Sequence, residues 1–467
     1  MKPAPYPEYK KSAVTCLGAV PSHWAEKRAK YYFREVDERS DTGNEEMLSV
    51  SHITGVTPRS QKNVTMFKAE SNIGQKRCRP GDLVINTMWA WMSALGVSNH
   101  AGIVSPAYGV YRPISGQNYD CYYLDNLLRI GGYRSEYICR STGIRSSRLR
   151  LYPDKFLSMP VVCPPLKEQQ EISRFLKAQE CLFRKFIRNK RRLIELLKEQ
   201  KQNIINQAVT RGLDPNVRLK PSGVEWIGDI PEHWEVAPLK HIARINARVL
   251  PESTDENYTF KYFDISSVGT GRLAADPEIL RFAQAPSRAR RILKKGDTIL
   301  STVRTYLKAI YYVSDEVEDW IASTGFAALT PKKEIHPPFL GLLIQSDNFI
   351  NRVIRESIGV AYPAIAETKL EALHLAYPAS FEEQQEILEH IANASVGIDQ
   401  AISRAQGEIE LMREYRIRLI SDVVTGQVDV RGIEVPEVAE DELLALEDDA
   451  TESDEVVDDE GEMDESD

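Results

Sequence analysis

The chain states one pattern twice, and this constrains its fold more than any other feature. Lys10, Ser12, Val14, Gly18, Pro21, His23 and Trp24 return as Lys220, Ser222, Val224, Gly228, Pro231, His233 and Trp234. The run EQQEI at Glu168–Ile172 returns at Glu383–Ile387, and Val209-Thr210 returns as Val424-Thr425. An offset of about 215 residues is far longer than the period of roughly 20–50 residues in solenoid repeats, so this is domain duplication. A duplicated binding unit reads two things, or one thing twice.

Each copy has two parts. The first is rich in short β-type runs such as Asp82-Leu-Val-Ile-Asn86 and Asp297-Thr-Ile-Leu-Ser301, each entered through a glycine turn. Scattered Gly and Pro leave no room there for a long helix, and a mixed α/β domain with a twisted sheet is expected. The second part is a long helix. From Leu166 to Val209 there is no Gly or Pro. Ile172, Phe175, Leu176, Leu182, Phe183, Phe186, Leu193, Leu196, Leu197 and Ile204 fill a, d and e positions of one heptad frame. Gln179, Asn189, Gln200 and Asn203 interrupt that stripe and read as buried amides that set register. In the second copy Ile391, Ile398, Ala405, Met412 and Leu419 fall seven apart. Helices so patterned need a partner for their stripe, and the nearest is the other copy's helix.

The expected fold class is therefore α+β. Two mixed α/β domains are separated by two long antiparallel coiled-coil helices, giving a pseudo-two-fold internal repeat. The boundaries are a first domain over 1–165, the first long helix and connector over 166–229, a second domain over 230–380, the second long helix over 381–433, and an acidic, disordered C-terminal tail over 434–467.

The net charge of −9 conceals two regions of opposite sign. After Pro436 the chain holds 17 acidic residues and no Lys or Arg, leaving 59 basic against 51 acidic residues, or +8, over 1–436. The tail reads as a solubilising extension or as a polyanion competing with nucleic acid for the basic body. No apolar run approaches the roughly 20 residues needed to cross a bilayer, and the first residues lack an apolar signal core. Cys16, Cys78, Cys121, Cys139, Cys163 and Cys181 form no CxxC pair, which predicts free thiols in a reducing cytoplasm and no metal site. Catalytic motifs are missing as well: there is no P-loop, no GxSxG elbow, no HExxH and no Asn/Asp-Pro-Pro-aromatic site. His23 and His233, each beside a tryptophan, read as packing residues.

The ordered motifs resemble the specificity subunits of type I restriction-modification systems. The resemblance rests on Lys-x-Ser-x-Val…Gly-x-x-Pro-x-His-Trp, the Gly-Asp-(Leu/Thr)-(Val/Ile)-(Ile/Leu) strand, the proline-flanked EQQEI and the Val-Thr close, all duplicated over residues 8–433. It implies two target-recognition domains that each read half of a bipartite, asymmetric DNA sequence across a non-specific gap. It also implies helices that act as a ruler and dock two methyltransferase subunits. By the same resemblance S-adenosylmethionine belongs to those partners, ATP and Mg to restriction subunits that join them, and no cofactor to this chain, which is a reader and scaffold.

Base reading needs donors and acceptors at base edges backed by cations on phosphates. The segment after the second Gly-Asp strand supplies Arg304, Tyr306 and Lys308; its counterpart offers Trp89 and Trp91, to stack on bases or to pack in the core. A later loop supplies Arg145, Ser147 and Arg148 in the first copy and Tyr362 in the second. Two matched clusters, Lys76, Arg77 and Arg79, then Arg288, Arg290 and Arg291 with Lys294 and Lys295, read as phosphate grips. The basic run Arg184–Arg192 on the first helix is either a solvated face or a surface for DNA or an acidic partner. The rival to the whole reading is a coiled-coil scaffold with no nucleic-acid role.

Overall fold

A computed structural model describes residues 5–61, 71–114, 119–143, 149–436 and 438. The expected acidic tail falls almost wholly outside them, as do Arg145, Ser147 and Arg148. The chain divides into two compact units, Met1–Arg191 with Gln406–Asp467, and Arg192–Ala405.

Both units are built on the same antiparallel four-stranded sheet. In the first the strand order is Phe33–Glu35, Gly109–Pro113, Leu83–Ile85, Leu95–Val97; in the second it is Ala243–Ile245, Phe326–Pro331, Thr298–Ser301, Ile310–Tyr312. The Gly-Asp runs form the third strand of each, fully buried as their unbroken apolar pattern requires. The opening motifs make hairpins, Tyr9–Lys11 with Ala19–Pro21 and Leu219–Pro221 with Asp229–Pro231. The units diverge beyond this frame. The second adds a four-stranded sheet containing one parallel pair, Thr259–Phe263 beside Trp320–Ser323. The first has two separate strand pairs there.

The long helices run Leu166–Arg211 and Phe381–Val424. Each unit takes the start of one and the end of the other. In the first unit Glu180 pairs with Arg416 and Lys190 with Glu408, and Phe183 meets Tyr415 edge-on at 5.9 Å. In the second Lys201 Nζ lies 2.7 Å from Asp399. Numbers rise along one helix as they fall along the other, so the pairing is antiparallel. The cores follow suit: Ile172, Phe175, Leu419 and Val423 join one, and Ile205, Val209, Ile387 and Ile391 join the other.

The seam of the first helix departs from the expected heptad frame. Leu182, Leu193 and Leu196 are exposed, and so are Asn189, Gln200 and Asn203. Ile172, Phe183, Ile194 and Ile205, eleven apart, are buried, and their counterparts Ile387, Ile398, Ile409 and Ile420 lie on the buried side of the second helix. Eleven residues close about three turns with a drift of roughly 20°, whereas a heptad drifts by the same angle in only seven. At about 100° per residue, Leu182, Leu193 and Leu196 lie roughly 80–140° round the helix from Phe183, off the buried face. The amides are therefore solvated, and Gln202 and Asn206 make the polar contacts instead, with the Gln345 carbonyl and Asp347.

EQQEI has a structural task in each copy. Glu168, buried in the first turn of its helix, accepts from Trp24 Nε1 at 2.9 Å, stands 2.9 Å from His23 Nε2, and accepts from the Tyr6 hydroxyl. Burial, then the Glu168 carboxylate, holds the Tyr6 phenol far above its ordinary pKa. Glu383 meets Trp234 Nε1 and His233 Nε2, both at 2.9 Å. The following glutamine, fully buried in both copies, accepts a backbone N–H at the start of a short helix: Gln169 from Asp120, Gln384 from His336. Gly426 and Gly212, both at positive φ, close the junctions; a Cβ on Gly426 would lie 2.5 Å from Pro21.

Candidate functional site

Each sheet's third strand ends in a turn clasped by a later loop, and backbone atoms make the clasp. In the second unit Ile365 N donates to Thr302 O at 2.9 Å and Arg304 N to Pro363 O at 2.8 Å, while Ile358 and Ala364 exchange N–H···O bonds of 2.9 and 3.0 Å. The Thr305 and Ser357 hydroxyls meet at 2.8 Å. In the first unit Leu151 N donates to Thr87 O at 2.9 Å, and Thr142 and Arg150 exchange two bonds of 3.0 Å. A short 3-10 turn follows each strand, Ala90–Met92 and Thr305–Leu307, and ends in a left-handed residue, Ser93 at φ 67° and Lys308 at φ 52°. The two clasps are copies of one frame.

They display different chemistry. In the second unit Arg304, itself left-handed at φ 51°, holds its guanidinium 4.7 Å from the Tyr362 ring centre. The structure thus joins two residues that the sequence places on separate segments, Arg304 and Tyr362. Tyr306 and Tyr362 are exposed, as are Leu307, Ile358 and Val360, an apolar rim the sequence reading missed. Its signal was the apolar pair around Gly359 in a loop. Among the described residues no carboxylate pairs with Arg304 or Lys308. At the Arg304 position the first unit has Trp89, stacked on Trp91 at 6.1 Å and 19°. Both indoles are half-buried, Trp91 Nε1 donates to Met88 O, and Arg134 Nε donates to Trp91 O.

The matched basic clusters are largely committed within their own domains. Lys76 is buried, with Nζ donating to Tyr108 O at 2.8 Å, and is not offered to a ligand. Arg77 pairs with Glu45 at 3.0 Å, Arg79 with Glu38 at 2.9 Å, and Lys295 with Glu316 at 3.3 Å. Arg288 donates to the Tyr262 hydroxyl, which raises its already high pKa further. Arg290 lies over Phe282, and Arg291 has a buried Nε without a hydrogen-bond partner. On the first helix Arg184 pairs with Glu180 and Lys190 with Glu408, so much of that basic run is neutralised.

At the foot of each frame a buried aspartate organises the strand ends, by exchanged means. Asp82 accepts two bonds of 2.9 Å from Arg112, which also reaches Glu38 at 2.8 Å. At Arg112's place the second unit has Thr330, 2.7 Å from Asp297, and at Glu38's place it has Arg248, which supplies the cation.

Among the described residues no group of three or more acidic, His or Cys side chains could hold a metal ion, and no helix is long and apolar enough to cross a membrane. Residues 231–401 match the family model for the type I restriction modification DNA specificity domain. The type I restriction enzyme MjaVIII specificity subunit of Methanocaldococcus jannaschii is 25% identical over 289 residues, covering 60% of this chain and 64% of that protein, just under two thirds. The HindI specificity subunit of Haemophilus influenzae is 31% identical over 117 residues, 24% of this chain and 25% of that one. A chain from a structural study of type I restriction-modification complex assembly superposes with a TM-score of 0.58 at 16% identity, covering 88% of this chain and 99% of that one, a likeness of fold.

Proposed function

We propose that this chain, whose residues 231–401 match the type I restriction modification DNA specificity domain, reads a bipartite, asymmetric DNA target. One observation carries the reading: a single clasped frame occurs twice and displays an arginine–tyrosine pair in one copy and a tryptophan pair in the other. Equal frames with unequal displays fit two unequal half-sites. Arg304 and Lys308, lacking carboxylate partners among the described residues, are open to a polyanion.

The proposal extends to partners. Leu182, Leu411, Tyr415 and Ile417 are exposed large side chains on the long helices. They are the proposed docking residues for methyltransferase subunits, which restriction subunits would join. The chain itself performs no chemistry in this reading.

Binding-site selection with the full chain on random duplex DNA, across a salt series, tests the proposal. Two unlike half-sites at a fixed gap are expected, with affinity falling steeply as salt rises. A flat salt response without enrichment would favour the coiled-coil scaffold. The eleven-residue spacing offers a second test. One eleven-residue unit inserted at the same level of both helices preserves the buried face and lengthens each by about 16 Å. The selected gap should widen by about five base pairs at roughly 3.4 Å each.

A further inference from the structure

We infer that Arg304, laid against Tyr362, reads a guanine in one half-site of the target. The inference rests on the DNA-reading function proposed above and names the base which that site takes.

Three observations carry it. Arg304 is held at both ends: its amide donates to Pro363 O at 2.8 Å and its guanidinium stacks 4.7 Å from the Tyr362 ring centre. A non-glycine residue at φ 51° is strained, and the clasp keeps it there. The ring occupies one face of the guanidinium and leaves its N–H edge free. That rigid fork matches the paired O6 and N7 acceptors of guanine in the major groove.

Next, no carboxylate among the described residues claims that edge, whereas Arg77, Arg79, Arg112 and Arg248 are each paired with one. The edge is therefore open to a ligand.

Finally, the surroundings suit a base better than a phosphate. Tyr306, Leu307, Ile358, Val360 and Tyr362 are all exposed beside it, and Lys308 is the one further cation of the turn. Phosphate grips gather cations and amides, while the groove floor offers base edges and thymine methyls that an apolar rim can touch. The equivalent residue in the other frame, Trp89, has no such fork, so this guanine belongs to one half-site alone.

The test is site selection and affinity measurement with the full chain and its Arg304→Lys and Arg304→Asn variants. Asparagine tolerates the left-handed backbone, so equal melting temperatures would certify the fold. The unaltered chain should select a guanine at one position of one half-site. Both variants should lose that preference and bind the selected site about tenfold more weakly, with the other half-site and the gap unchanged. If both variants keep every base preference and Arg304→Asn weakens all duplexes alike and reduces the salt slope by about one, Arg304 holds a phosphate and the inference is overturned while DNA reading stands. Selection of half-sites without a guanine sensitive to Arg304 overturns it equally. If the unaltered chain selects no sequence, the DNA-reading proposal fails first.

Discussion

Glu168 and Glu383 stand at the starts of the two long helices and hold the same partners, a tryptophan indole and a histidine. Trp89 and Arg304, separated by the same interval and each two residues past a matching loop-to-turn backbone bond, share no chemistry. After duplication the joints stayed and the displays changed. The difference follows from what each residue touches. Glu168 serves buried donors that have no substitute partner, so its replacement would cost folding energy. Arg304 contributes its amide N–H to the frame, a donor that every residue but proline carries.

The sharpest way to break this comparison lies at the foot of the frames. Arg112→Thr copies the second unit's residue but strands Asp82, whose side chain is 2% exposed. It should cost about 3 kcal/mol, the scale of breaking a buried pair. Adding Glu38→Arg rebuilds the second unit's solution around Asp297 and should restore at least half of that loss in a double-mutant cycle read by chemical denaturation. Lack of rescue would mean the two frames are not interchangeable there.

A somewhat smaller effect should separate the two helix-start joints. Glu168→Ala leaves the Trp24 indole N–H and the Tyr6 hydroxyl without their acceptor, a loss of about 2–3 kcal/mol. Glu383→Ala strands one indole, and His233 is partly solvated, so about 1–2 kcal/mol is expected. Thermal unfolding of each variant ranks them, and the reverse order would contradict the burial difference.

The smallest effect distinguishes the eleven-residue seam from a heptad. Ile194→Ala should cost about 2 kcal/mol as a buried truncation. Leu193→Ala, at an exposed position, should change stability by less than about 0.5 kcal/mol. Comparable losses in the two would restore the heptad frame.

Much of this architecture was legible because duplication doubles every signal. The hairpins, the Gly-Asp strands and the long helices were marked by paired glycines, prolines and apolar runs. The seam of the first helix was misread because Leu182 and Leu193 stand the same eleven residues apart as Phe183 and Ile194; only packing decides which of the two neighbouring rows is buried. At the site, Arg304 and Tyr362 could each be picked out along the chain. Their union could not, since the Arg304–Pro363 bond joins segments about 60 residues apart. Lys76 was indistinguishable from its neighbours in sequence. Strand alternation turns it inward, to a carbonyl that no local pattern announces.

The hydrogen bonds between the 302–305 turn and the 357–365 loop are made by main-chain N–H and C=O groups apart from one hydroxyl pair. Side chains on that rim are thus decoupled from the scaffold's folding energy. A population of such proteins could overwrite its vocabulary letter by letter, each revision judged by the target it selects and not by whether the chain still folds.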